Sequence, residues 1–386
     1  MARSVYRHSS ARLWAARHRW PVRVAVLFVL AAGGGIAYAV TSQPSAQRPS
    51  PTTEPPATGP FAVLSTTPVA GATVDADTSV SVRLSHSLAA GSPMPTLQPP
   101  VDGTWTHGGG RTLVFDAATP LPPGAKETLT VPGGTRGLRD SSGRTLPEPV
   151  TVAFTVRSST LRLQQLLAQL GYLPVTFAPS GGEPAPKESA QPQPGAFSWR
   201  WTDPLQGLED HWSAGVAGVI TQGAVMTFQD QHHLAVDGIA GPELWTALLA
   251  AAAAGQRDPQ PYDYVYVDKD VPEHLLLYVD GMAKFPNVAV NTGLHGADTP
   301  DGTYAVFEHV PASEMKGTNP DGTTYDDPGV PWASYFYQGD ALHGFVRATY
   351  GTPQSNGCVE MSIADAGTLW PYTPIGTLVT VVGPAS

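Results

Sequence analysis

The stretch Ser355-Asn356-Gly357-Cys358-Val359-Glu360-Met361 contains the only cysteine among 386 residues, and it follows His343 of the pair His343-Gly344 by fifteen positions. A lone thiol forms no internal disulfide, so its presence in an exported chain points to chemistry at sulfur, with a histidine as the base. An imidazole that takes the thiol proton yields a thiolate and an imidazolium, which can later protonate a leaving amine. Gly357 removes side-chain bulk before the nucleophile, letting the backbone turn sharply and aim amides at a developing oxyanion. Ser355 and Asn356 carry the short polar side chains that order such a loop, and Gly344 joins them as loop support beside the histidine.

Export is read from the amino terminus. Arg3, Arg7, Arg12, Arg17, Arg19 and Arg23 lie in a basic segment, residues 1–23, that precedes an apolar run over residues 24–40. Positive charge stays on the cytoplasmic side, so the rest of the chain faces outward, as a single-pass membrane protein held by a signal anchor. Ala37-Tyr38-Ala39 offers a cleavage site as the alternative, which would make the protein secreted. Residues 41–60 hold six prolines. That composition buries no core and gives an extended linker, at about 3.1 Å per residue a reach of roughly 60 Å.

Three folded regions follow, giving a multidomain, mainly β protein behind the anchor helix. Residues 61–157 consist of short alternating runs such as Thr112-Leu113-Val114-Phe115, punctuated by Pro122-Pro123-Gly124 and Asp140-Ser141-Ser142-Gly143, the pattern of an antiparallel sandwich. In residues 158–256 the period changes to helical, with Leu163, Leu166, Leu167 and Leu170 ahead of Gly171 and a second helix from Glu243. Residues 178–198, rich in Pro, Gly and Ser, read as a mobile insertion. Trp199, Trp201 and Trp212 suit core packing or a glycan-stacking surface equally. Residues 262–384 return to strands, with Asp280-Gly281 as a hairpin turn. Fifteen Asp and Glu against four Lys and Arg make this region acidic, which excludes nucleic acid as a partner and favours solubility or an amine substrate.

Within the third region, four blocks resemble the L,D-transpeptidase family of cell-wall enzymes. They are Thr292-Gly293 with Thr299-Pro300-Asp301-Gly302-Thr303-Tyr304, Pro328-Gly329-Val330-Pro331-Trp332 through Tyr335-Phe336, Ala341-Leu342-His343-Gly344, and Ser355-Asn356-Gly357-Cys358-Val359. The first region is similar to bacterial immunoglobulin-like domains, through Trp105 and its two turns. The second resembles small helical peptidoglycan-binding domains, through Leu170-Gly171-Tyr172, Ala224-Val225-Met226-Thr227-Phe228-Gln229 and Asp237-Gly238-Ile239-Ala240-Gly241. The resemblance implies a mostly β catalytic domain in which Cys358 attacks the diaminopimelate carbonyl of a peptidoglycan tetrapeptide stem. D-alanine would leave, and the amine of a second stem's diaminopimelate would resolve the thioester. It further implies carbapenem inhibition, no metal and no cofactor. Tyr304, Trp332 and Tyr335 become candidate substrate contacts. Many family members carry His at the position of Asn356 and Arg or Asn at that of Glu360, so a carboxylate clamp at Glu360 is in question here. Trimming of stems as an L,D-carboxypeptidase, or wall binding without catalysis, are the rival readings.

Overall fold

The computed structural model describes residues 59–181, 189–202 and 205–383. The expected anchor and most of the linker lie outside them; among the described residues no helix is long and apolar enough to cross a membrane.

The first region forms two four-stranded sheets. Strands β1 (Val63–Thr67), β2 (Thr73–Val74), β3 (Val80–Leu84), β4 (Thr96–Gln98), β5 (Gly103–His107), β6 (Thr112–Ala117), β7 (Lys126–Val131) and β8 (Val150–Val156) assemble in the orders β1-β3-β6-β5 and β2-β8-β7-β4. Alternate residues such as Val80, Val82 and Leu84, with Leu129 and Val131, are buried between them. The expected turn after Asp140 is built by that residue: its buried carboxylate accepts from the Ser142 and Arg144 amides, each at 2.9 Å, while Gly143 turns at φ +86°.

In the second region α1 (Thr160–Leu170) starts at Ser159, whose hydroxyl accepts from the Arg162 amide, and ends at Gly171 in the left-handed region at φ +94°. A hairpin of β9 (Val175–Pro179) and β10 (Gly195–Trp199) follows, then α2 (Val219–Gln231) and α3 (Pro242–Ala254), the last opened by its proline. The hairpin takes up the two ends of the expected insertion over residues 178–198, pairing Ala178 with Ala196 and Pro179 with Gly195; residues 182–188 lie outside those described. Trp199, Trp201 and Trp212 pack, partly buried, against the module's core, and the Trp201 ring covers Gly281 of the third region.

The third region has two sheets. Strands β11 (Asp263–Asp268), β12 (His274–Val279), β13 (Met282–Ala289), β14 (Gly302–Ala305), β15 (Glu308–Thr318), β16 (Thr324–Tyr337), β17 (Asp340–Gly344) and β18 (Val359–Met361) precede α4 (Ile363–Leu369) and β19 (Leu378–Val382). The sheet orders are β13-β12-β11-β19-β14 and β15-β16-β17-β18. Asp280 and Gly281 both have positive φ, +47° and +78°, the geometry of the expected hairpin turn. Val265, Val267, Leu275 and Leu277 of the first sheet pack against Phe336, Leu342, Val359 and Met361 of the second.

Strand β11 is buried on both faces. Its alternate residues Tyr264 and Tyr266 join the helical module's core with Phe228, Trp245 and Leu378. The Tyr264 hydroxyl donates to the Gln206 carbonyl at 2.7 Å, and Arg200 pairs with Asp280 at 2.7 Å. The second and third regions therefore share a core, where the sequence suggests separable modules. Tyr264→Ala removes apolar burial from both and is expected to destabilise by about 3–5 kcal/mol. Denaturant unfolding should show helix loss and the change in near-ultraviolet tryptophan signal moving together; a helical module that unfolds independently, at its wild-type midpoint, would contradict the shared core.

Candidate active site

His343 lies on β17, and Cys358 immediately precedes β18, its parallel neighbour. The register pairs Leu342 with Val359 and His343 with Glu360. Alternation then turns Leu342, Val359 and Met361 into the core and sets Cys358, Glu360 and His343 on the opposite face. Parallel neighbours cannot be joined by a tight turn; they need a crossover of about a dozen residues or more. The fifteen-residue spacing of His343 and Cys358 is the length of that crossover.

The crossing loop is tied down by residues of the other motif blocks. Asn291, fully buried, accepts from the Gly351 amide at 3.0 Å, donates to the Thr349 carbonyl at 3.2 Å, and exchanges two backbone bonds with Glu360. Thr299 donates to the Gly357 carbonyl at 2.7 Å and accepts from the Gly293 amide at 2.8 Å. The Thr292 amide and hydroxyl both donate to the buried Glu273 carboxylate, at 2.7 and 2.6 Å. Ser355 donates to the Cys358 carbonyl at 2.5 Å and accepts from the Gly357 amide at 3.1 Å, bridging the two ends of the loop's last turn. Asn356 donates to Asn319 at 2.6 Å, linking the loop to the β15–β16 tip.

Gly357 differs from expectation in its reason. Its φ of +119° and the Asp340 carboxylate, which an added Cβ would run into, demand glycine, but its amide is engaged by Ser355 and is not aimed at an oxyanion. Gly344 likewise faces away: its carbonyl accepts from His343 Nδ1 at 3.2 Å, and a Cβ added there would press on Ile363 of α4.

That bond gives His343 the tautomer with Nδ1 protonated and Nε2 carrying the lone pair, the form of a base. Burial lowers the imidazole's pKa, against the Gly344 carbonyl and Glu360, which raise it. The half-buried Cys358 thiol is pushed up to about 12, first by desolvation and further by Asp340 and Glu360, although the Ala341 amide opposes them. The resting pair is thus a thiol and a neutral imidazole, not the thiolate and imidazolium expected from unperturbed values.

Both residues line a cavity of about 450 Å³ together with Tyr325, Asp327, Tyr335, Asp340, Arg347 and Glu360. Of the three substrate candidates only Tyr335 is there, its hydroxyl 2.7 Å from that of Ser313. Tyr304 donates to the Asp301 carbonyl and packs on Tyr337, and Trp332, at φ +63°, packs on Trp370 and Gly367. His309 stacks on Trp370 with ring centroids 4.0 Å apart, outside the cavity. The sequence reading missed Arg347. It clamps Glu360 through two bonds, at 2.7 and 2.8 Å, and lies over the Phe345 ring, which answers the question raised by an acid at position 360. Its signal was available: Arg347 is the sole arginine of an acidic region.

Family comparison assigns all three regions. Residues 263–381 match the L,D-transpeptidase catalytic domain, residues 57–156 the bacterial Ig-like domain and residues 205–248 the putative peptidoglycan binding domain. No curated protein matches the chain. Among solved structures, an L,D-transpeptidase from Mycobacterium smegmatis is similar at 13% identity over 84% of this chain and 100% of its own, with TM-score 0.29. L,D-transpeptidase 3 from Mycobacterium tuberculosis, in complex with a faropenem-derived adduct, is 12% identical over 83% of this chain and 97% of its own, with TM-score 0.29. The catalytic domain of the E. faecium L,D-transpeptidase is 27% identical over 31% of this chain and 96% of its own, with TM-score 0.28.

Removing one partner of the Arg347–Glu360 pair strands a buried charge. Arg347→Ala is expected to destabilise by about 1–3 kcal/mol, and adding Glu360→Gln to recover part of the loss. The urea midpoints of the wild type, the single and the double variant check this; a double variant less stable than Arg347→Ala would refute the pairing as the cause.

Proposed function

We propose, from the premise that residues 263–381 are an L,D-transpeptidase catalytic domain, that this protein cross-links peptidoglycan through a thioester on Cys358. The observation that carries the reading is the β17–β18 register, which puts the one thiol and a base-form imidazole on the same cavity wall. The donor is a tetrapeptide stem. His343 Nε2 takes the thiol proton as Sγ attacks the diaminopimelate carbonyl, and returns it to the nitrogen of departing D-alanine. The amine of a second stem then attacks the thioester. The Ala341 amide, which favours the charged form of the sulfur, supports the thiolate as it forms and as it leaves.

The peptidoglycan-binding domain supports a wall substrate, and the domain match supports carbapenems as acylating inhibitors of Cys358. The apolar residues 24–40 lie outside the described residues; as a signal anchor they would hold the enzyme on the outer face of the membrane, which fractionation of cells expressing the full chain tests.

Incubation with a carbapenem should add one drug mass to the protein, and Cys358→Ala should remove the adduct. Ready labelling by a general thiol reagent without carbapenem acylation would defeat the catalytic reading. His343→Ala tests the base. With the thiol pushed up to about 12, its rate at neutral pH should collapse and then climb roughly tenfold per pH unit from pH 7 to 9 as thiolate accumulates. A flat, uniformly low profile would mean that His343 orients substrate without moving a proton.

A further inference from the structure

One carboxylate in the cavity works against ionisation of the thiol. Asp340 opens β17, three residues before His343, and lines the cavity with Cys358 and Tyr325. Its carboxylate occupies the space that a side chain at Gly357, the residue immediately before Cys358, would need. Among the described residues its side chain has no hydrogen-bond or ion-pair partner, and only its partial burial acts on it, pushing the carboxyl up to about 6. Of the other acids at the cavity, Glu360 is matched by Arg347 and Glu314 by Lys316, while Asp327 acts on Arg347 without an ion pair among the described residues and does not act on the thiol. For acylation Asp340 is a liability, since its charge holds the thiol in its protonated form. An unpaired carboxylate beside a thiol that must ionise calls for a role in a different step.

We propose that Asp340 binds the ammonium group of the acceptor amine and so sets the partition of the acyl-enzyme between a new amide and hydrolysis. The proposal rests on the thioester reading above. Once Cys358 is acylated the sulfur carries no charge, and Asp340 no longer opposes anything. A cavity with Glu314, Asp327, Asp340 and Glu360 against Lys316 and Arg347 attracts a cation, whereas water gains nothing from it. The docked ammonium loses one proton to the neutral His343 imidazole. Its nitrogen bonds to the thioester carbonyl carbon, the carbon–sulfur bond breaks, and a second nitrogen proton passes to the departing sulfur. The third stays on the new amide. The products are amide, free thiol and protonated His343, with no other reactant needed.

The full-length protein, a tetrapeptide donor and a diaminopimelate-bearing acceptor stem suffice for the test, with dimer and hydrolysed tripeptide resolved by mass spectrometry. Asp340→Asn should lower the dimer-to-tripeptide ratio roughly tenfold, through a raised KM for acceptor, while carbapenem acylation of Cys358 proceeds no more slowly than in wild type. Asp340→Glu should recover part of the ratio. A second measurement needs no variant: in the wild type, an acceptor with its side-chain amine trimethylated keeps the charge but cannot attack, and should inhibit dimer formation better than an acetylated, neutral one. An unchanged ratio in Asp340→Asn, or equal inhibition by the two analogues, overturns the proposal. Loss of carbapenem acylation in folded Asp340→Asn would assign the residue to the first half-reaction and overturn it too. A wild type that is never acylated at Cys358 refutes the thioester reading itself, and is told apart by that readout.

Discussion

The parallel pairing of β17 with β18 is the constraint from which the site follows. Leu342 and Val359 stand opposite one another, both fully buried between the two sheets of the catalytic domain. A slip of one residue in β18 would turn Cys358 into that core and Val359 out of it, so the apolar packing that stabilises the fold also fixes which way the thiol points. The same pairing forces a long crossing between His343 and Cys358. A crossing of that length is costly to order, and it is held by Thr292 and Thr299 of the first motif block, Asn291 beside it and Ser355 of the last, which act on backbone groups near Cys358 and do not line its cavity. Motif residues far apart in sequence thus serve one backbone path.

Electrostatics around the thiol run against a preformed ion pair. Desolvation raises the thiol and lowers the imidazole, and two neighbouring acids raise the thiol further. A neutral pair avoids two opposed charges in a dry site, and it leaves Nε2 with a lone pair able to take a proton. Local donors such as the Ala341 amide matter more in such a site than in one where the thiolate already exists, because they act on charge that develops during reaction. The Arg347–Glu360 pair belongs to the same balance. Without Arg347, the buried Glu360 would add an unmatched negative charge on the same face as the thiol.

Much of this was legible in the sequence, for identifiable reasons. Alternation revealed β3, β6 and β8, leucines at helical spacing revealed α1, and the Asp280-Gly281 turn placed the β12–β13 hairpin, because each is decided by neighbours in the chain. Cys358 and His343 were singled out through residue type and motif. What escaped depends on tertiary context. Strands β15 and β16 carry Pro311, Pro328 and Pro331 and alternate weakly, since much of their length is exposed, so no period marks them. Strand β10 hid in a Pro-rich stretch for a similar reason. Tyr304 and Trp332 are motif residues, yet they pack into the domain and leave the cavity wall to Tyr335. Arg347 was passed over because its role is fixed by Glu360, thirteen residues away in sequence and adjacent only across the folded crossing.

Strand β11 carries the last step. Its odd-numbered residues Val265 and Val267 pack beneath the sheet that bears the thiol, while Tyr264 and Tyr266 pack into the helical core. One strand is therefore a wall of two cores, and the Tyr264 hydroxyl, bonded to the Gln206 carbonyl, ties the second side down. A binding module joined by a flexible linker raises local substrate concentration and leaves orientation free. One that shares a core cannot swing. A wall-binding surface on the helical module, as the proposed function requires, would lie at a fixed distance and angle from Cys358, so attachment would select which stems present themselves to the cavity as well as how many are near.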